Sequence, residues 1–289
     1  MSTNKYPKIN LTLCLSLLRV KTQEPVAAVA SANSRSKSIK TFCVGLAADP
    51  PSLDVPHLDM KTRDHVLGFM NHAHNELGPH SIIYAAFGNY FFPGPQSASH
   101  LKILIEEIVS LELRVVFVVK DEKAELTGLA KDYIRNLERS GNVIFLEWEP
   151  QLEVLEHPSI HYFITHCGWS SVTEAIARGV PMICWPIAGD QPANSTLIPR
   201  HLNCGSELMQ VRTGAAQSIA FGMNGDLKII GSDEAVRDEA KKVLEMSRGD
   251  LGAQQRLKVQ ALSKVARESL LPGGSADAAL GEFGNIIGL

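Results

Sequence analysis

The sequence lacks any run approaching the ~18 apolar residues needed to span a bilayer, and its C-terminus resembles no membrane anchor, so an integral membrane segment is not expected. It has no C-x-x-C pair either. Its five cysteines (Cys14, Cys43, Cys167, Cys184, Cys204) are widely spaced and odd in number, which reads as reduced, packed thiols of a cytoplasmic protein. Charge of one sign is scarce. A net charge of −3 gives no broad attraction to nucleic acid or anionic lipid, so any phosphate site must be built locally from backbone amides and a few side chains. No G-x-G-x-x-G follows a strand-like run and no G-K-[ST] occurs, which disfavours dinucleotide dehydrogenases and Walker-type nucleoside triphosphatases. A repeat at solenoid period is also missing.

What is present is an ordinary globular composition: 289 residues, 45% hydrophobic and 20% charged, enough to bury a substantial core. Lys5 and Lys8 precede an apolar stretch from Ile9 to Leu18, and Ala28-Val29-Ala30-Ser31 faintly resembles a cleavage site. Arg19, Lys21 and Glu24 interrupt that region, so a buried strand or short helix is expected there rather than a signal peptide. Ser31 to Lys40 is polar, and residues 45–60 carry the proline and aspartate of a linker. The expected organisation is a poorly defined segment 1–44, a linker 45–75 and a domain 76–289.

From Ser81 the pattern changes. Short apolar runs at Ser81–Ala86, Val115–Val119, Val143–Leu146, Tyr162–Thr165 and Met182–Trp185 read as strands. Helical spacing occupies Ser97–Leu111, Glu125–Arg139 and Ser171–Arg178, the last two closed by Gly141 and Gly179. Two amphipathic helices, Asp233–Ser247 and Gln254–Leu270, follow. Strands alternating with helices at this pitch predict an α/β fold: a Rossmann-like parallel sheet with helices on both faces.

In such sheets ligands bind beyond the carboxyl ends of the strands. Those ends read Phe87-Gly88-Asn89, Trp148-Glu149-Pro150-Gln151, His166-Cys167-Gly168-Trp169-Ser170-Ser171 and Trp185-Pro186 before Asp190-Gln191. Gly168 permits close backbone approach, and the helix after it points free amides and a positive dipole end at the loop, which suits an anion. His166, Ser170 and Ser171 could donate to a pyrophosphate. Taken alone, the segment is equally a strand-loop-helix turn capped by serine. Glu174, one turn past Ser170, adds a carboxylate able to accept from both hydroxyls of a ribose diol. Trp148 offers a flat face for a base, although any single tryptophan is equally a core residue. Three tryptophans at strand ends on one edge favour the ligand reading.

The segment from Trp148 to Gln191, WEPQLEVLEHPSIHYFITHCGWSSVTEAIARGVPMICWPIAGDQ, resembles the 44-residue donor-binding signature of the UDP-glycosyltransferases. The likeness extends to the loop at Phe87-Gly88-Asn89 and to Gly273-Gly274-Ser275. It implies the C-terminal, donor-binding half of a GT-B fold, with the N-terminal GT-B domain largely missing. By position it implies that Trp148 stacks on uracil, that the Glu149 backbone pairs with the base edge, and that Gln151 and Glu174 hold the ribose. It further implies that Asn89, His166, Gly168, Trp169, Ser170 and Ser171 surround the pyrophosphate and that Asp190 and Gln191 bind the sugar. The final glutamine accompanies UDP-glucose in this family. The donor is a substrate, and no cofactor is expected. Two positions depart from the pattern: Ser170 stands where the family has Asn, and Asn89 where it has Ser.

A full-length member carries an acceptor domain of roughly 200 residues, with a histidine base that deprotonates the acceptor hydroxyl. Here about 75 residues precede the donor domain. His57, His65, His72 and His74 fall in the linker, so no catalytic base is assigned. Two functions follow: a transferase moving glucose onto a small lipophilic acceptor, or a UDP-sugar-binding subunit or truncated copy that needs a partner chain for acceptor site and base. A zinc site on His157, His161 and His166 is not expected, because the signature already accounts for the first and the last.

Overall fold

The computed structural model describes residues 11–14, 40–44, 60–88, 92–119, 129, 131–147, 150–213, 219–222 and 225–288. The chain divides into two compact units, Met1–Ala48 with Lys264–Leu289, and Asp49–Ser263. Residues 264–289, expected with the donor domain, therefore group with the N-terminal segment.

In the first unit β1 (Leu11–Cys14) pairs in parallel with β2 (Lys40–Cys43), Leu11 opposite Lys40. The strand thus lies within the apolar stretch where a strand or short helix was expected. Phe42 of β2 is buried and meets the ring of Phe283 edge-on at 5.8 Å.

The first described element of the second unit is α1 (Met60–Leu77), most of it within the stretch 45–75 expected as linker. Its core contact is thin: Val66, Met70 and Ala73, spaced four and three residues apart, are the residues it buries fully. There follow β3 (Ile82–Ala86), α2 (Ala98–Ser110), β4 (Arg114–Val118), α3 (Lys131–Arg139), β5 (Val143–Leu146) and α4 (Gln151–Glu156). Next come β6 (Ile160–Thr165), α5 (Trp169–Arg178), β7 (Met182–Cys184), α6 (Gln191–Leu197) and β8 (Gly205–Glu207). An antiparallel hairpin, β9 (Ile219–Gly222) with β10 (Gly225–Lys228), precedes α7 (Asp233–Arg248) and α8 (Asp250–Leu270). The helix carrying Phe283 in the first unit is α9 (Ser275–Ile287).

The main sheet is wholly parallel, in the order β5-β4-β3-β6-β7-β8. Every residue of β3 and of β6 is buried, which is why both read as continuous apolar runs rather than alternating ones. On one face α2 packs Leu101, Leu104, Ile105 and Ile108 into the core, and α7 packs beside it through Val236, Ala240 and Leu244. The Ser232 hydroxyl caps α7 by accepting from the Ala235 amide, a contact that contributes about 1 kcal/mol. Among the described residues no helix is long and apolar enough to cross a membrane.

At the N-terminal edge of the sheet, His161 is buried with its Nε2 3.0 Å from Ser247 Oγ, while the Arg256 guanidinium donates to its backbone carbonyl. Burial above all, then the charge of Arg256, pushes its pKa down to about 3. The folded value lies below the unfolded one of 6.5, so the unfolded chain takes up this proton first. This part of the stability is intact above pH 6.5 and is lost as pH falls below it, at about 1.4 kcal/mol per pH unit. Glu239 acts oppositely: burial raises it to about 6, so its protonation favours the folded state between about pH 6 and 4.5. The two slopes offset each other below about pH 6, so the test is a difference: as pH falls from 6.5 to 5, the thermal midpoint of His161→Leu is expected to rise relative to that of the wild type by one proton's worth. Parallel curves for the two proteins would exclude His161 as the cause of the first slope.

Candidate functional site

The strand order places the site. From β3 the chain moves outward to β4 and β5; from β6 it moves the other way to β7 and β8. β3 and β6 are hydrogen-bonded neighbours whose connections diverge, so a crevice opens beyond their carboxyl ends, at a topological switch point. The loops there are Phe87-Gly88 and His166-Cys167-Gly168, two of the segments the sequence singled out.

His166 joins these loops. Its relative exposure is 9%, and its ring lies against two glycines. A Cβ built on Gly88 would stand 2.7 Å from His166 Nε2, and one built on Gly168 would stand 2.5 Å from the same atom. Gly88 also has φ +68°, in the region where a side chain is costly. Cys167 takes a left-handed φ of 66°, and its amide donates to Thr165 Oγ1 at 3.2 Å. The loop is thereby turned so that α5 begins at Trp169, two residues earlier than the sequence pattern predicted. The N-cap is Gly168, without a side-chain cap, and the first turn carries no acidic residue. The serine-capped turn is therefore not what forms: Ser170 and Ser171 lie within the first turn, Ser170 exposed and Ser171 buried. The first-turn amides and the positive dipole end face the crevice, a ready anion site.

One turn on, a polar cluster forms. Gln151, first residue of α4, receives the Tyr84 phenol on its Oε1 at 2.9 Å. Its Nε2 donates to the Glu174 carboxylate and lies 3.5 Å from Ser171 Oγ. The amide and carboxylate predicted to read a ribose diol are thus brought together from α4 and α5. Tyr84 was not foreseen, because a tyrosine within an apolar strand run looks like core.

After β7 the turn at 187–191 is held by Gln191, whose Oε1 accepts from the Ile187 and Ala188 amides at 2.8 and 2.9 Å. Gln191 is 3% exposed, whereas Asp190 is exposed. Asn194 links this turn to the His166 loop. Its Nδ2 donates to the Cys167 carbonyl at 2.9 Å and to Asp190 Oδ2 at 2.8 Å. This asparagine was missed as well, because a polar residue in a short helix carries no distinguishing signal.

Asn89, Trp148 and Glu149 lie outside the described residues, as does His57. Of the other early histidines, His72 pairs with Glu76, which also pairs with Arg114 at the start of β4, and the His74 ring lies 6.1 Å from that of His157. Both are at the edge of the sheet opposite the crevice. His161 and His166 are likewise separated by the length of β6, about 16 Å. They cannot ligate one ion.

A doubly wound parallel domain with an open helix N-terminus and a carboxylate–amide pair at its switch point has the layout in which parallel α/β sheets seat their ligands. Solved structures share this fold over about half of their own length, the architecture of one GT-B half. UGT71G1 of Medicago truncatula, complexed with UDP-glucose, superposes with a TM-score of 0.69 at 22% identity, over 92% of this chain and 51% of its own. A UDP-glucosyltransferase from Polygonum tinctorium superposes with a TM-score of 0.64 at 24% identity, over 86% of this chain and 49% of its own. A family model described as UDP-glucoronosyl and UDP-glucosyl transferase matches residues 61–216, and the chain belongs to that family. Among relatives, UDP-glycosyltransferase eriJ of Hericium erinaceus is 32% identical over 192 residues, 66% of this chain and 36% of the relative. UDP-glucose flavonoid 3-O-glucosyltransferase 7 of Fragaria ananassa is 31% identical over 219 residues, 72% of this chain and 42% of the relative. The chain thus spans about two fifths of the length of these relatives.

Proposed function

We propose that this chain binds a UDP-sugar, by preference UDP-glucose, and forms the donor half of a glycosyltransferase that moves the hexose, with inversion, to a hydroxyl of a small lipophilic acceptor. The observation that carries this reading is the Gln151–Glu174–Ser171 cluster, set one helical turn from the bare N-terminus of α5. A diol reader and an anion site at that separation suit a nucleoside diphosphate. In this reading Trp148 stacks on uracil, and the Glu149 backbone pairs with its edge. His166, Trp169, Ser170, Ser171 and Asn89 surround the pyrophosphate, with Gly168 admitting its close approach. Asp190 and the amide nitrogen of Gln191 meet the sugar.

The chemistry divides accordingly. The acceptor oxygen forms a bond to the anomeric carbon as the bond from that carbon to the diphosphate breaks. The charge growing on the leaving diphosphate falls at the α5 amides and His166, where fixed dipoles stabilise it. The proton of the acceptor hydroxyl goes to a base, and His72 and His74 lie too far from the crevice to supply it. A second reading keeps the donor site here and takes the acceptor site and the base from a partner chain. The buried, unpaired thiols of Cys167, Cys184 and Cys204 support a cytoplasmic location.

Calorimetric titration of UDP and UDP-glucose into the purified chain tests the reading. Saturable binding is expected, weakened about tenfold or more by Trp148→Ala, since base stacking contributes roughly 1–3 kcal/mol. A folded chain that ignores millimolar UDP would overturn the proposal. Turnover by the chain alone would then decide between enzyme and subunit.

A further inference from the structure

We propose that Tyr84 is a positioning residue for ribose recognition, and that through Gln151 it sets the preference for a ribonucleotide over its 2′-deoxy counterpart. The inference rests on the UDP-sugar reading above and concerns a residue that touches no ligand. Tyr84 sits in the middle of β3 and is fully buried, its ring stacked on that of Phe163 with centroids 4.7 Å apart and planes 21° from parallel. Both neighbouring strands fix its backbone, since β3 is paired with β4 on one side and β6 on the other. The phenol, held at the end of this fixed ring, donates to Gln151 Oε1 at 2.9 Å.

That bond decides which end of the amide faces the crevice. An amide nitrogen only donates and a carboxylate only accepts, so Gln151 stabilises Glu174 with its nitrogen inward and repels it with its oxygen inward. With the phenol donating to Oε1, the nitrogen points at Glu174 and Ser171, as observed. The carboxylate is then held where it can accept from the 2′ and 3′ hydroxyls together. Without the phenol the amide can turn over, and the diol contact loses its fixed geometry. Loss of such a contact is felt more by a ligand with both hydroxyls than by one that keeps the 3′ hydroxyl alone.

The test is calorimetry with UDP and 2′-deoxy-UDP on the full chain, wild type against Tyr84→Phe, which keeps the ring and its stacking. The wild type is expected to prefer UDP about tenfold or more. Tyr84→Phe is expected to lose about fivefold in UDP affinity and clearly less for 2′-deoxy-UDP, so that the ratio falls. In a Gln151→Ala background the same substitution is expected to have no further effect on the ratio, because the phenol acts through that amide. A wild type that binds both nucleotides equally would remove the ribose reading itself. A discriminating wild type whose Tyr84→Phe variant keeps the full ratio would overturn the role given to Tyr84. If Tyr84→Phe does not fold, Gln151→Glu carries the test: it presents a second carboxylate to Glu174, so the preference should be lost, and its retention would overturn the proposal.

Discussion

Gly168→Ala is expected to abolish donor binding while leaving the sheet folded. The backbone at Gly168 (φ −58°, ψ 139°) is open to alanine, so the cost does not arise in the chain itself. It arises because the added carbon would stand 2.5 Å from His166 Nε2 and 3.2 Å from Cε1. The ring cannot withdraw toward Gly88, whose own Cα side lies against it. His166 must therefore swing out of place, and the two loops it joins must part. We expect at least a hundredfold loss in UDP affinity, from displaced donors and a misplaced helix terminus, with a thermal midpoint lowered by only a few degrees. Gly189→Ala is the contrasting control. It meets nothing within 4 Å but sits at φ +67°, so it should cost about 1–2 kcal/mol of stability and leave the affinity nearly unchanged. Equal binding by wild type and Gly168→Ala would show that His166 does not organise the site.

Glu174→Ala should weaken UDP by about thirtyfold or more while leaving inorganic pyrophosphate binding intact. Hydrogen bonds to a charged group contribute about 1.5–3 kcal/mol, and this carboxylate is placed to accept from two hydroxyls. The Gln151 amide would also lose the partner that holds it inward. Competition between UDP and pyrophosphate for each protein measures both effects. An unchanged UDP affinity, or an equal loss for both ligands, would detach Glu174 from the ribose and return it to a structural role.

Much of this architecture was legible in the sequence because burial is written into hydropathy. Strands flanked on both sides show as uninterrupted apolar runs, which is why β5 falls at the predicted residues and β3, β4, β6 and β7 within two residues of them. α2 was legible from its stripe of Leu101, Leu104, Ile105 and Ile108. The rest escaped for identifiable reasons. Among the described side chains of α1 just three are fully buried, and it follows a proline-rich stretch, so it read as linker. β8 is Gly-Ser-Glu, with no apolar pattern; it is a strand because Met182–Cys184 offers it an edge, and because a Cβ at Gly205 would meet the Met182 carbonyl at 2.3 Å. At the site, Gln151, His166, Gly168, Ser171, Glu174 and Gln191 were named from sequence, and they stand on the loops and helix starts that follow the carboxyl ends of the strands. Tyr84 and Asn194 could not be named, because their role is to hold other residues, and such a role appears only when partners far apart in the chain are brought together.

The switch point has a thermodynamic consequence. The loops after β3 and β6 belong to opposite halves of the sheet, so a nucleotide held by both is a strap across their junction. By mass action, ligand at a hundred times its dissociation constant adds about 2.7 kcal/mol to the folded state. That is a large fraction of the margin by which an ordinary domain stays folded. The half-life of this chain in a cell would then follow the supply of nucleotide sugar, and starvation for the donor would be felt first as loss of the protein.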